Sequence, residues 1–258
     1  MNQARGLGGV PRKTDNGAGA PDRLEQPVRR FQAAVSAEAQ ALAWANQEQA
    51  PHGAAVVVTH EVSPRGRIGG IWWAPAERTL ACAVVLRPTL PAHEGDSVWL
   101  TGGLIAARAA ETVAGRPLAT WWPDLVVDAG TGEEVLAVKA QIQLGPGRVR
   151  HAVVTARFDL GRLDIDPGRR DELLEALLTF VEEAGPELGD GAAAAAAYAK
   201  KCVLLGERVK LTLLPKGETR GIARAIDGGA RLEIESATGM VERIAVDSLR
   251  QIEVVAPH

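Results

Sequence analysis

Long apolar runs are missing from this sequence. The longest, such as Leu80 to Leu86, are strand-sized and bounded by polar residues or proline. They fall far short of the roughly 20 residues that cross a bilayer as a helix, so no integral membrane protein and no membrane partner are expected. Cysteine is scarce as well. Cys82 and Cys202 stand far apart inside apolar segments, which gives neither a disulfide framework nor a zinc-ligand spacing. No metal site is expected in the chain, and a reducing cytoplasm fits this cysteine usage. The N-terminus lacks the apolar core of a secretion signal; its mixture of Gly, Pro, Arg and Asn up to about Arg30 predicts a disordered tail over 1–29. An excess of one charge is also absent. A formal net charge of -3 gives no global attraction to nucleic acid, and DNA is not an expected partner. His60 and Asp159 have no partners at catalytic spacing, and no Ser-His-Asp or Cys-His arrangement is inferable, which leaves a hydrolase with little support.

What is present is ample core material, 46% hydrophobic residues in a chain of 258, enough for one large domain or one domain with an appendage. Ser36 as N-cap with Glu38 close behind it predicts a helix over Ser36 to Asn46. Ala54 to Thr59 and Leu80 to Leu86 read as buried strands. Val98, Leu104, Ile105 and Val113, spaced by small residues and stopped by Gly115, predict a helix packed closely on a sheet. Strands are expected over Leu118 to Val127, Glu134 to Leu144 and Val149 to Phe158, joined by hairpin turns at Asp128 to Gly132 and Gly145-Pro146-Gly147. Asp171 to Glu183 has helical apolar spacing, and an alanine-rich helix follows, ending near Lys201. Beyond Gly206 short strands recur at Val209 to Leu214, Thr219 to Ile226, Arg231 to Glu235 and Val241 to Val246, the pattern of a small antiparallel barrel. The expected class is α+β, a mixed or antiparallel sheet flanked by helices over 30–201, with a second domain over 202–258.

Between the first two of these strands lies Pro64-Arg65-Gly66-Arg67-Ile68-Gly69-Gly70-Ile71-Trp72. Glycines there let backbone approach a ligand, and guanidiniums grip anionic oxygens bidentately. This loop, the strand ending in Arg87-Pro88, the helix after it and Trp121-Trp122-Pro123-Asp124-Leu125 follow one another in the order of a known pattern. The sequence resembles the biotin/lipoate-protein ligases, and within them the biotin-protein ligases without an N-terminal DNA-binding domain. Those proteins typically read G-R-G-R-x-G-x-x-W, an apolar strand ending in R-P, a helix, then K-W-P-N-D-L.

The resemblance covers about residues 25 to 256 and implies a class II synthetase-like catalytic domain with a C-terminal SH3-like β-barrel. It implies ATP with Mg2+ as cofactor and biotin as substrate, joined as biotinyl-5'-AMP before the acyl group passes to a lysine on a biotin carboxyl carrier-type domain. It also allows a homodimer. Such chemistry needs no covalent nucleophile; it needs two anions held together and a mixed anhydride shielded from water. Arg65 and Arg67 would hold carboxylate and phosphate, Gly66 and Gly69 would let the loop fold over the adenylate, and Trp72 would wall it in. Trp122 and Asp124 would belong to the same nucleotide site, and Ser36 would contact the acyl ligand or serve as a plain N-cap. No helical pattern in the tail supports the winged-helix domain of ligases that double as repressors.

The departures from the pattern are as specific as the matches. Trp121 stands in place of the lysine of K-W-P-N-D, and Glu61-Val62-Ser63 offers no glutamine before the arginine loop. Thr155-Ala156-Arg157-Phe158-Asp159 stands where G-x-G-I-N is usual, so Arg157 is either a new acyl-binding charge or an outward-pointing strand residue. The family's catalytic lysine has two registers. Without a gap its place falls on Val135; with a one-residue deletion it falls on Lys139, the only lysine between Lys13 and Lys200. The two positions lie about 13 Å apart by strand rise. Three readings follow: an ATP-dependent ligase adenylating biotin or another carboxylic acid, with Lys139 and Arg67 catalytic; a diverged, noncatalytic member binding a nucleotide-like or acyl ligand or a protein; and a lipoate- or octanoyl-handling enzyme.

Overall fold

The computed structural model describes residues 27–72, 75–185 and 187–255. The expected tail over 1–29 falls outside these residues apart from its end, and there Val28 already opens a strand. Alternating Arg29, Phe31 and Ala33 carry no run long enough to announce it. That strand, β1 (Val28–Ala34), pairs in parallel with β2 (Ala55–Glu61), and α1 (Ala37–Gln47) connects them. Next come β3 (Thr79–Leu86), α2 (Ser97–Ala114), β4 (Leu118–Trp121), β5 (Leu125–Asp128), β6 (Glu134–Gly145) and β7 (Arg148–Asp159). Together they form a seven-stranded mixed sheet in the order β1-β2-β3-β7-β6-β5-β4. The segment read as one strand over Leu118 to Val127 is two: Trp122, Pro123 and Asp124 turn the chain, and Trp121 pairs back with Leu125.

Both faces of the sheet are covered, which is why β2 and β3 read as continuous apolar runs rather than alternating ones. One face of β2, β3 and β7 (Val56, Val58, Ala83, Val85, Val153) packs under α1 through Ala37, Ala41, Trp44 and Ala45. Small residues on α1 let the helix lie close. Ser36 caps it as expected, its hydroxyl accepting the Ala39 N–H at 3.1 Å.

The opposite face carries the larger core beneath α2, α3 (Arg170–Glu183) and α4 (Gly191–Ala199). α2 ends, as its sequence predicts, on Gly115 in the left-handed conformation. Its small residues have the expected role: a β-carbon added at Gly102 would stand 2.8 Å from a Val154 methyl, and one at Gly103 3.2 Å from the Tyr198 ring. Among the described residues no helix is long and apolar enough to cross a membrane.

The C-terminal part is a five-stranded antiparallel sheet, β8 (Arg208–Leu213), β9 (Glu218–Ile226), β10 (Leu232–Glu235), β11 (Val241–Ile244) and β12 (Leu249–Val254), in the order β11-β10-β9-β8-β12. The sequence announces the first four. β12 escapes it because Arg250, Gln251 and Glu253 dilute its apolar signal, and a bulge between Leu249 and Gln251 breaks its alternation. The small sheet is seated against the large one. The Trp122 indole N–H donates to the Ala230 carbonyl at 2.9 Å, and Gly191 at the start of α4 lies so near Gly228 that a β-carbon would come within 2.1 Å of its carbonyl oxygen.

Several polar side chains are buried within the sheet region, His151 among them. His151 on β7 is 0% exposed and both its ring nitrogens lack a partner. Burial first, then Arg87 and Arg150, hold its pKa below the ordinary 6.5. The folded protein therefore keeps His151 neutral where the unfolded chain would take up a proton. Stability is expected to be steady above pH 6.5 and to fall as the pH drops through and below it. In His151→Leu, urea titrations across that window should show a shallower fall, with a remainder from His52, whose pKa is likewise lowered by burial. Gly102→Ala should cost about 1–3 kcal/mol by overpacking α2 on β7, read as a lower urea midpoint at neutral pH.

Candidate functional site

The residues singled out by the sequence fall into two groups, one at the seam with the C-terminal sheet and one where α1 begins and β2 ends. The arginine loop is folded on itself. Gly66 N–H donates to the Gly70 carbonyl at 2.9 Å and Trp72 N–H to the Pro64 carbonyl at 3.0 Å, with Gly69 at φ +80° making the turn. Its two arginines have different fates. Arg65 is exposed and reaches back to the Gly69 carbonyl at 2.9 Å. Arg67 points inward: Nε donates to the Asp124 carboxylate at 3.1 Å, and Nη1 donates to the Val246 carbonyl at 3.3 Å and to the Leu249 carbonyl.

Asp124 is thus the partner of Arg67. Burial pushes its pKa above the usual value, and the Arg67 charge and hydrogen bond oppose that rise. The Asp124 carbonyl also accepts the Val138 N–H at 2.8 Å, which fixes the turn against β6. Trp122, two residues before, is fully buried and committed to Ala230. These residues tie the loop, the β4–β5 turn and the C-terminal sheet together.

A second group lies on the α1 face of the sheet. Arg157 on β7 is 4% exposed. Its Nε and Nη2 donate to the two oxygens of Glu61 at 2.8 and 3.0 Å, the forked geometry in which arginine and carboxylate bond best. Glu61 Oε1 also accepts the Ala37 N–H, the first of α1, at 2.8 Å. Lys139, opposite Thr155 in the sheet, forms an ion pair with Glu38 of α1 at 3.0 Å, with both side chains only 12% exposed. The Trp72 ring stands 5.4 Å from the Arg157 guanidinium carbon. Arg157 is therefore no outward-pointing strand residue.

Two cavities open beside this group. One of about 230 Å³ is walled by Trp72, Glu134, Val135, Arg157, Asp159 and Arg162, among others. Another of about 110 Å³ is walled by His60, Glu61, Pro64, Trp72, Ala81 and Arg157, among others. Val135, at the alternative lysine position, lines the larger one; Lys139 is in neither wall, being turned to Glu38. Ser36, Lys139, Arg157 and Trp72 are thus brought to one side of the sheet, while Arg67, Trp122 and Asp124 are joined at the seam with the C-terminal sheet.

Sequence reasoning missed Glu38 and Glu61 as partners. Glu38 and Lys139 are 101 residues apart, and Glu61 and Arg157 are 96 apart, and no local pattern links such pairs. The one available signal was that charged residues in strands with apolar neighbours are rarely buried unpaired.

No family model matches the chain. In sequence it is similar to the bifunctional ligase/repressor BirA of Bacillus subtilis strain 168, with 22% identity over 140 residues, 54% of this chain and 42% of that protein. The match therefore spans well under half the length of that relative. In structure it is similar to the biotin protein ligase of Aquifex aeolicus solved with biotin and ATP, at a TM-score of 0.64 and 16% identity, covering 89% of this chain and 99% of the other. It is also similar to a biotin protein ligase-like protein of unknown function from Silicibacter sp. TM1040, at a TM-score of 0.59 and 13% identity, covering 85% of this chain and 95% of that one.

Removing Arg67 would strand the partly buried Asp124 carboxylate and free the loop. Arg67→Ala is expected to lose about 1–3 kcal/mol of stability, the range for leaving a buried hydrogen-bonding group unsatisfied and below that for a fully buried pair. The Arg67→Ala, Asp124→Ala double variant should lose less than the sum of the two single changes. A urea double-mutant cycle measures this; additivity would mean that the pair contributes nothing.

Proposed function

We propose that this chain, built on the fold of the biotin protein ligases, is an ATP-dependent ligase that adenylates a carboxylic acid and passes the acyl group to a lysine of a biotin carboxyl carrier-type domain. The observation that carries the reading is the convergence of Lys139, Arg157 and Trp72 with the arginine loop at the N-terminus of α1, beside two small cavities. Support also comes from the relatives, one a ligase by name and one solved with biotin and ATP.

In this reading the chain rests with its cations paired internally, Lys139 to Glu38 and Arg67 to Asp124. Ligand oxygens take the place of those carboxylates on binding. Lys139 then stabilises charge developing at the phosphate, and Arg67 holds phosphate or carboxylate as the loop closes. Arg65 lies at the loop surface, within reach of an arriving nucleotide. Gly66 and Gly69 supply the backbone freedom for closure; a β-carbon at Gly69 would meet no neighbour, so its +80° φ is what requires glycine. Trp72 walls the acyl end and Ser36 orients the start of α1. Among the described residues no cluster of His, Cys, Asp or Glu is placed to hold a metal; Mg2+ would arrive on the nucleotide's phosphates, as this ion commonly does.

Exposed Ile68 and Ile71 on the loop, with Val35 and Val62 at the neighbouring strand ends, give the mouth an apolar rim for a carrier domain to cover. The C-terminal sheet, in the place of an SH3-like unit, anchors the loop through its bonds to Arg67. Cys82 and Cys202, free and buried, suit a reducing cytoplasm.

A second reading, a binding protein without ligase chemistry, draws on one observation: the expected cations Arg67, Lys139 and Arg157 are each already bonded to a carboxylate. Exchange of labelled pyrophosphate into ATP, driven by biotin, lipoate, octanoate or shorter acids, separates the two. The ligase reading expects acid-dependent exchange that falls about 100-fold in Lys139→Ala, the scale of losing one charge-stabilising donor. A folded protein with no exchange for any acid sinks it, and exchange indifferent to Lys139 removes that residue from the chemistry.

A further inference from the structure

Arg157 has more donors than Glu61 uses. Nε and Nη2 bond the carboxylate, while Nη1 is buried without a partner. Two residues back on the same strand face, the Thr155 hydroxyl is also buried and unpartnered. Leaving such a group unsatisfied in the interior forfeits its hydration without return, and native structures rarely tolerate it without a use. Arg157 itself borders open space: the cavities of about 230 and 110 Å³ both touch Arg157, Trp72 and Thr79, while Thr155 lies behind their walls. Glu61 cannot swing away freely, because the Ala37 N–H holds its Oε1. The guanidinium is thereby set in one plane, with Trp72 beside it.

We propose that the Glu61–Arg157 pair is the recognition floor of a pocket for a compact carboxylic acid, Arg157 Nη1 donating to an oxygen of the ligand. This rests on the ligase reading only in taking the ligand to be an acid. Arg67 and Lys139 are turned to other carboxylates and border neither cavity, whereas Arg157 borders both and keeps one buried nitrogen, Nη1, without a partner. Guanidinium accepts two carboxylate partners at once, one on its Nε side and one at its end. Glu61 already neutralises the positive charge, so the pocket offers hydrogen bonding and shape rather than a strong field, and fit decides affinity. The two cavities meet at Trp72, Thr79 and Arg157, and together they fall at the lower end of the roughly 300–1,000 Å³ usual for small-molecule pockets, which favours a compact acid.

The test is calorimetric titration and thermal melting of the full chain with propionate, hexanoate, octanoate, lipoate and biotin, each with and without ATP and Mg2+. Glu61→Gln with Arg157→Met removes both charges together and strands neither; Arg157→Lys keeps the charge opposite Glu61 but loses the second donor set. A short acid should bind and raise the melting temperature of the unmodified chain. Its Kd should weaken at least about tenfold in both variants, the equivalent of about 1.4 kcal/mol for a lost hydrogen bond, while ATP binding is unchanged.

Equal binding of that acid to the unmodified chain and the double variant overturns the proposal. So does tighter binding of biotin or lipoate than of every short acid, or a panel in which nothing binds. Acid binding without pyrophosphate exchange would remove the ligase reading and leave the pocket standing. Exchange undiminished in the double variant would remove the pocket and leave the ligase.

Discussion

A charge taken into a protein interior has to find an opposite charge there, and on the α1 face of this sheet that requirement is met twice within a few residues. Arg157 and Lys139 project from neighbouring strands toward the start of α1; Glu61 and Glu38 meet them from the end of β2 and the first turn of the helix. Desolvating one such ion costs several kcal/mol, recovered only with good geometry and further hydrogen bonds. The forked Arg157–Glu61 contact and the Ala37 N–H on Glu61 supply both. Everything else at the site adjusts to this. α1 is tied to the sheet at its first turn, and Trp72 lies beside the Arg157 guanidinium in the wall of two cavities.

The second constraint joins the two sheets. Arg67 leaves the loop, crosses to Asp124 in the β4–β5 turn and continues to main-chain carbonyls at Val246 and Leu249. Trp122 from the same turn bonds Ala230. A loop that would otherwise be loose is thereby coupled to the packing of the C-terminal part. Moving the loop away from the sheet breaks the bonds of Arg67, so the loop and the seating of the small sheet are linked through one side chain. On a fold shared with biotin protein ligases, this is a chain in which Arg67, Lys139 and Arg157 each meet a carboxylate of its own.

Much of the fold was legible because it follows from periodicity and punctuation. Ser36 as N-cap, Gly115 as a stop, the hairpin turns before β6 and β7 and the small residues of α2 are local signals, and each holds in the structure. β1 and β12 were not legible: each is short, half polar and recognisable as a strand only through the neighbour it pairs with. Leu118 to Val127 looked like one strand because Trp122 is apolar and the turn around it carries no glycine.

The sequence by itself determined the α+β architecture, the place of the arginine loop between two strands, and which charged residues are candidates at the site. Those depend on neighbours within a turn or a strand. Only the tertiary structure decided which charges meet: that Arg67 belongs to Asp124, Lys139 to Glu38 and Arg157 to Glu61. The reason is physical. An ion pair is set by distance in space and by the loss of water around it, and residues 57 to 101 positions apart acquire both only when the sheet and α1 have closed over them.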